Sequence, residues 1–237
     1  MTATPYKIAL LLRRDPGLDR VTFVRQWLES NPFPPLPQLL SRRFSADSGQ
    51  AVPIENVAAL AYDGVEELMF DSRAQAKVAM ATPAMQHWLE TGQKLLSCAP
   101  DVISGATVLI WSRDADRSAA VKIFTLPIRR AGMTMAAFAG HWIDRHAGLA
   151  LAGPGTRERL LCLESMSADR AEWRGFITAN FDGVGVIMFD SPESLSAEFS
   201  SEHYHTVMAP DEPRFTDPAQ SRALMMRECL RTDFTSG

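Results

Sequence analysis

A chain of 237 residues with 46% hydrophobic content can build one large or two small cores. Its formal net charge of −4 excludes the broad basic face that nucleic-acid binding requires. Cys98, Cys162 and Cys229 are far apart, odd in number and form no C-x-x-C, a pattern of unpaired thiols in a reducing compartment.

Thr4-Pro5 leads directly into an Ile/Leu-rich run over residues 6–12, which reads as a strand ending at Arg13-Arg14 and not as the core of a signal peptide. Asp19 is placed to cap a following helix through its side-chain oxygen. Strands are predicted over 42–46 and 65–70, a helix over 73–90 and a strand over 106–111. Residues 112–120 are short, polar and turn-rich, as a linker should be. The series then restarts with a strand over 121–128, a Thr134 cap and a helix to about His146. Phe138, Trp142 and His146 fall at i, i+4 and i+8 on one face of that helix. Strands over 159–164 and 183–189 follow. Asp190-Ser191-Pro192 then opens a helix over 193–208, proline suiting its first turn, and a strand over 222–228 closes the unit. No apolar stretch reaches the roughly 18 residues of a membrane span, so a cytoplasmic location is expected.

The restart is a duplication. Tyr6-Lys7-Ile8 is answered by Val121-Lys122-Ile123, and Phe23-x3-Trp27 by Phe138-x3-Trp142, both at an offset of 115. Asp63-Gly64-Val65 and Phe70-Asp71-Ser72 are answered by Asp182-Gly183-Val184 and Phe189-Asp190-Ser191 at an offset of 119. That period is too long for a solenoid and marks a repeated domain of about 110 residues, with boundaries at 1–111 and 121–237. Each copy reads as βαββαβ, two helices on one face of a four-stranded antiparallel sheet. The uncovered sheet faces are apolar, and packing them against each other is the economical way to bury them. The expected fold is therefore α+β: two fused ferredoxin-like repeats forming an intramolecular dimeric α/β barrel.

The second copy carries Arg129-Arg130-x-Gly132-Met133-Thr134, Phe138-x2-His141-Trp142-x3-His146-x2-Leu149, Ser201-Glu202-His203-Tyr204 and Asp211-Glu212-x-Arg214-Phe215-x-Asp217-Pro218. In these motifs, taken in order, it resembles the EthD family of the dimeric α/β-barrel superfamily. The first copy departs from the pattern, reading Asn31-Pro32-Phe33 where the second has His146-Ala147-Gly148. The family's chemistry is thus expected in the second copy, with the first as its structural partner.

The resemblance implies a pocket between sheet and helices with His146 at its border. An imidazole titrating near neutrality suits proton transfer, while the alternative role is a helix cap through its ring N–H. Helix-end placement would raise its pKa and burial would lower it. Tyr204 is the second candidate catalytic group, its phenol orienting a substrate oxygen. Trp142, His141, His203, His205 and Met188 are candidate pocket residues. Trp142 reads first as core, because the first copy keeps Trp27, and His141 falls on another face of a 3.6-residue helix. His203 and His205 lie about 200° apart on a helix, so both cannot face one site. No zinc spacing, glycine-rich phosphate loop or G-x-S-x-G is present, so neither a metal nor an organic cofactor is expected. The resulting expectation is a cofactor-independent enzyme for a hydrophobic aromatic or polyketide-like substrate, catalysing elimination, decarboxylation, isomerisation or cyclisation. The alternatives are a cofactor-free or haem-dependent oxidase or monooxygenase, and a non-catalytic ligand-binding protein. A homodimer of such barrels is a further expectation.

Overall fold

The computed structural model describes residues 4–49, 54, 58–59 and 61–234. In the first repeat, β1 (Tyr6–Leu12) leads to α1 (Arg20–Arg25), which runs into a π-helical turn over Gln26–Ser30. β2 (Leu39–Asp47), the two-residue β3 (Ala58–Ala59) and β4 (Gly64–Phe70) follow, then α2 (Arg73–Met80), α3 (Pro83–Gln93) and β5 (Asp101–Ser112). The second repeat opens with β6 (Val121–Leu126) and α4 (Met135–Ala139), a π-helical segment over Gly140–His146, and α5 (Ala147–Leu151). It continues through α6 (Thr156–Arg159), β7 (Leu160–Ala168), β8 (Ile177–Thr178), β9 (Gly183–Phe189) and α7 (Pro192–Phe199). A second π-helical turn over Tyr204–Met208, α8 (Ala209–Asp211) and β10 (Arg222–Asp233) complete it.

Local chemistry sets these boundaries. Asp19 accepts from the Thr22 N–H at 2.8 Å and Thr134 Oγ1 from the Ala137 N–H at 3.2 Å, the caps expected from sequence. The helix predicted over 73–90 breaks at Thr82, whose hydroxyl accepts from Met85 N–H and caps α3. The one predicted over 193–208 breaks at Ser201, which accepts from Tyr204 N–H in the same way. Hydroxyl side chains compete for backbone N–H groups, so both long helices become two.

The main strands run β1-β4-β2-β10-β6-β9-β7-β5, and β5 pairs back onto β1 to close a ring. Within each repeat the order is fourth-first-third-second, the ferredoxin-like arrangement, and the repeats join antiparallel at β2–β10 and β5–β7. Every residue of β1 is buried, because one face meets helices and the other the barrel interior. Ala9, Leu11, Val65, Phe124, Leu126, Val184, Val186 and Leu224 fill that interior.

A charged cluster also lies inside the barrel. Lys7 and its repeat-equivalent Lys122 are both 1% exposed, and each reaches across to the other repeat. Lys7 Nζ meets Glu67 at 2.6 Å and also contacts Glu164, while Lys122 contacts Glu67 and lies 3.3 Å from Glu228. Burial disfavours the Glu67 carboxylate, but Lys122, Lys7 and Arg43 outweigh it and hold its pKa below the ordinary range.

Candidate active site in the second repeat

A cavity of about 140 Å³ lies between the second repeat's sheet and its helices. Three adjacent strands explain why it exists there. In the first repeat, Leu10, Glu66 and Phe44 stand in one row across β1, β4 and β2. The matching row across β6, β9 and β7 is Thr125, Gly185 and Ser165, and all three line the cavity. In the first repeat Glu66 accepts from Trp27 Nε1 at 2.8 Å, and Phe44 stacks on Trp27 with centroids 6.2 Å apart. Trp88 and Phe33 complete that filling, 5.0 Å apart. Gly185 removes both the bulk and the acceptor. A side chain there would collide with Thr125 and come within 3.0 Å of Trp142, so the space under the Trp142 indole is kept by the absence of a Cβ.

His146 borders this cavity. Its Nδ1 lies 3.0 Å from Asp211 Oδ2, and His141 Nε2 lies 3.0 Å from the same oxygen. A carboxylate only accepts, so each ring donates to Asp211 and the Nε2 of His146 keeps its lone pair. Asp211 is 3% exposed, with Arg145 Nε 3.5 Å from its other oxygen. Burial pushes its carboxyl up, but the bonds from His141 and His146 prevail and hold it below the ordinary carboxylate range. Phe215 lies against both imidazoles, 4.9 Å from each centroid. Burial lowers the His146 pKa, and the opposing pull of Asp211 does not restore it. His146 is therefore neutral at pH 7, a base oriented by a carboxylate.

The π-helical segment brings these groups together. Five residues along an α-helix turn the chain about 500°, leaving side chains about 140° apart. With i→i+5 bonding, positions 141 and 146 come back onto one side. His141 stands off the cavity, as its place on another face than Trp142 implies, and so is not a pocket-lining residue, but the π-helical winding turns it onto the same carboxylate as His146. The helix also continues through α5 to Leu151, so His146 is neither at its end nor its cap.

The other candidates divide. Trp142 and Tyr204 line the cavity, and Tyr204 packs on Phe199 with centroids 4.8 Å apart. His203 Nε2 sits 2.8 Å from the Leu149 carbonyl, tying the Tyr204–Met208 turn to α5 outside the cavity, and His205 is exposed. Met188 corrects the expected wall: it packs with Leu161 and Cys162 on the opposite strand face, because Gly185, Ile187 and Phe189 alternate with it toward the helices. Asp211 is a functional residue that the sequence shows only as part of the Asp211-Glu212-x-Arg214-Phe215 motif. Its offset of 119 from Gly92, with His146 matching Asn31 and His141 matching Gln26 at 115, was the available signal: the whole cluster is missing from the first repeat.

Among the described residues no group of three or more His, Cys, Asp or Glu side chains is disposed to hold a metal ion, and no helix is long and apolar enough to cross a membrane. A haem macrocycle does not fit: a cavity of about 150 Å³ holds a single benzene ring, and this one is no larger.

The EthD domain model matches residues 130–219. No curated protein matches the chain by sequence. Among solved structures, a candidate monooxygenase from Fusobacterium nucleatum superposes with a TM-score of 0.67 at 8% identity, covering 98% of this chain and 96% of its own. One from Lactobacillus acidophilus gives 0.58 at 14% identity, covering 97% and 96%. An anthrone oxidase-like protein gives 0.61 at 9% identity, covering 98% and 93%. At these identities the likeness is one of fold.

Proposed function

On the premise that its second repeat carries an EthD domain, we propose that the chain is a cofactor-independent enzyme acting on a small aromatic ketone or phenol. One observation carries the reading: a half-buried histidine, oriented by Asp211 and with its pKa lowered by desolvation, faces an apolar cavity that the first repeat has filled. His146 Nε2 removes a proton from an O–H or from a C–H beside a carbonyl. The Trp142 N–H, freed of the carboxylate its counterpart Trp27 binds, donates to the oxygen that gains charge. Tyr204 and Phe199 form the ring-binding wall. Returning the proton to another carbon isomerises the substrate. Attack of the carbanion on a second carbonyl carbon of the same molecule, whose oxygen then takes the proton, cyclises it. Departure of a leaving group from the neighbouring carbon completes an elimination.

Deuterium wash-in from D2O into the benzylic carbon of phenylacetone, followed by NMR, tests the step. The protein is expected to accelerate exchange and His146→Ala to lose the acceleration. Equal rates for the two proteins would overturn it. The oxidase-like fold relatives support a second reading, in which the same deprotonated intermediate is consumed by dioxygen. Oxygen uptake with phenylacetone as substrate separates the two.

A further inference from the structure

Each repeat sends the loop between its second and third main strands across to the other repeat. Ser48 N–H donates to the Met225 carbonyl at 3.1 Å, and Asp169 N–H to the Ser104 carbonyl at 2.9 Å. Ala58–Ala59 then pairs in parallel with Arg222 and Ala223 of β10, and Ile177–Thr178 with Asp101 and Val102 of β5. Four residues before each of these short strands stands one buried side chain: Ile54 in the first arm and Trp173 in the second. The two positions are related by the offset of 119 that also relates β4 to β9 and α2 to α7.

They do different things. Trp173 enters the core of the first repeat, packs on Tyr6 with centroids 6.3 Å apart and donates from Nε1 to Ser104 at 2.9 Å. Ile54 packs in the cluster of Leu160, Phe189, Ala223 and Met225 in the second repeat, and it lines the cavity. The first repeat thus supplies a wall of the second repeat's pocket, with a four-carbon side chain where the mirror position has an indole.

We infer that Ile54 is a specificity-determining residue, setting how large a ring system the cavity accepts. The inference rests on the reading of that cavity as the substrate site. A single ring matches the space that Ile54 leaves, whereas a fused bicycle needs the volume that its branched side chain occupies. One or two methylenes in an apolar pocket change discrimination by about tenfold or more.

Calorimetric titration of the full-length protein with phenol and with 1-naphthol tests this. Wild type is expected to favour phenol, Ile54→Ala to shift the preference toward 1-naphthol by about tenfold, and Ile54→Trp to weaken both by at least about tenfold. Ser165→Phe, which restores the ring present at Phe44, serves as the control that fills the cavity from the sheet side. If Ser165→Phe abolishes binding while the Ile54 variants keep the wild-type ratio, Ile54 has no such role and the cavity reading stands. If wild type binds neither phenol nor 1-naphthol, or Ser165→Phe binds as wild type does, the cavity reading falls and the inference with it. Should Ile54→Trp fail to fold, Ile54→Ala alone decides.

Discussion

Asp211 does two things that pull in opposite directions. It orients the His146 ring, and it raises a pKa that burial has lowered further than the carboxylate recovers. Since the neutral ring is the active base, activity should fall with acidity only below the ordinary histidine value of about 6.5. Asp211→Asn removes the group that raises the pKa, so the acid limb of the pH–rate profile should move to still lower pH while the maximal rate drops. A limb that moved upward would contradict the assignment. His146→Ala should lower kcat by about 10²–10⁴ while urea denaturation shows only about 1–3 kcal/mol lost, one hydrogen bond to a charged group. Asn31→Ala, at the equivalent position of the filled repeat, should leave kcat unchanged. His146 stood out in the sequence because its counterpart is Asn31. Asp211 did not, because its counterpart Gly92 lies in a helix outside the segments that match between the repeats.

At the scale of elements, the strands were the most legible part. Residues 6–12 and 183–189 were read at the bounds they adopt, since strands buried on both faces appear as unbroken apolar runs. Helix faces were less legible, because amphipathic reading assumes 3.6 residues per turn and the functional helix does not keep it. His141 reaches Asp211 beside His146 only through the π-helical winding, and Met188, although apolar, falls on the barrel side by strand parity. The π-helical segment makes its own prediction. Deleting Gly140 should return the segment to α-helical winding and separate His141 from His146 on the helix surface. Turnover should be lost with the far-UV spectrum and cooperative unfolding retained, and nitrogen-15 NMR should show both rings released from Asp211.

At the scale of the whole molecule, the barrel's charged cluster joins the repeats in addition to their sheet pairing. Glu67 holds a lysine from each repeat, so Glu67→Gln leaves two buried ammonium groups short of a partner and should cost about 3–5 kcal/mol. The folded pKa of Glu67 lies below its unfolded value of about 4.3, so the unfolded chain takes up protons first as pH drops. Its contribution is fully present above that value and is lost as pH falls toward the lowered one. Urea midpoints of wild type should therefore decline with acidity below about pH 4.3 more steeply than those of Glu67→Gln.

The closed ring has a consequence for the chain's continuity. Two seams of strand pairing and a pair of crossed arms hold the repeats together, while Asp114, Asp116 and Ser118 between β5 and β6 are exposed and lie outside both seams. A nick there severs the polypeptide without opening the cylinder. The two fragments should co-elute as one particle and, refolded together from denaturant, complement each other, whereas either alone would present a bare sheet surface and aggregate.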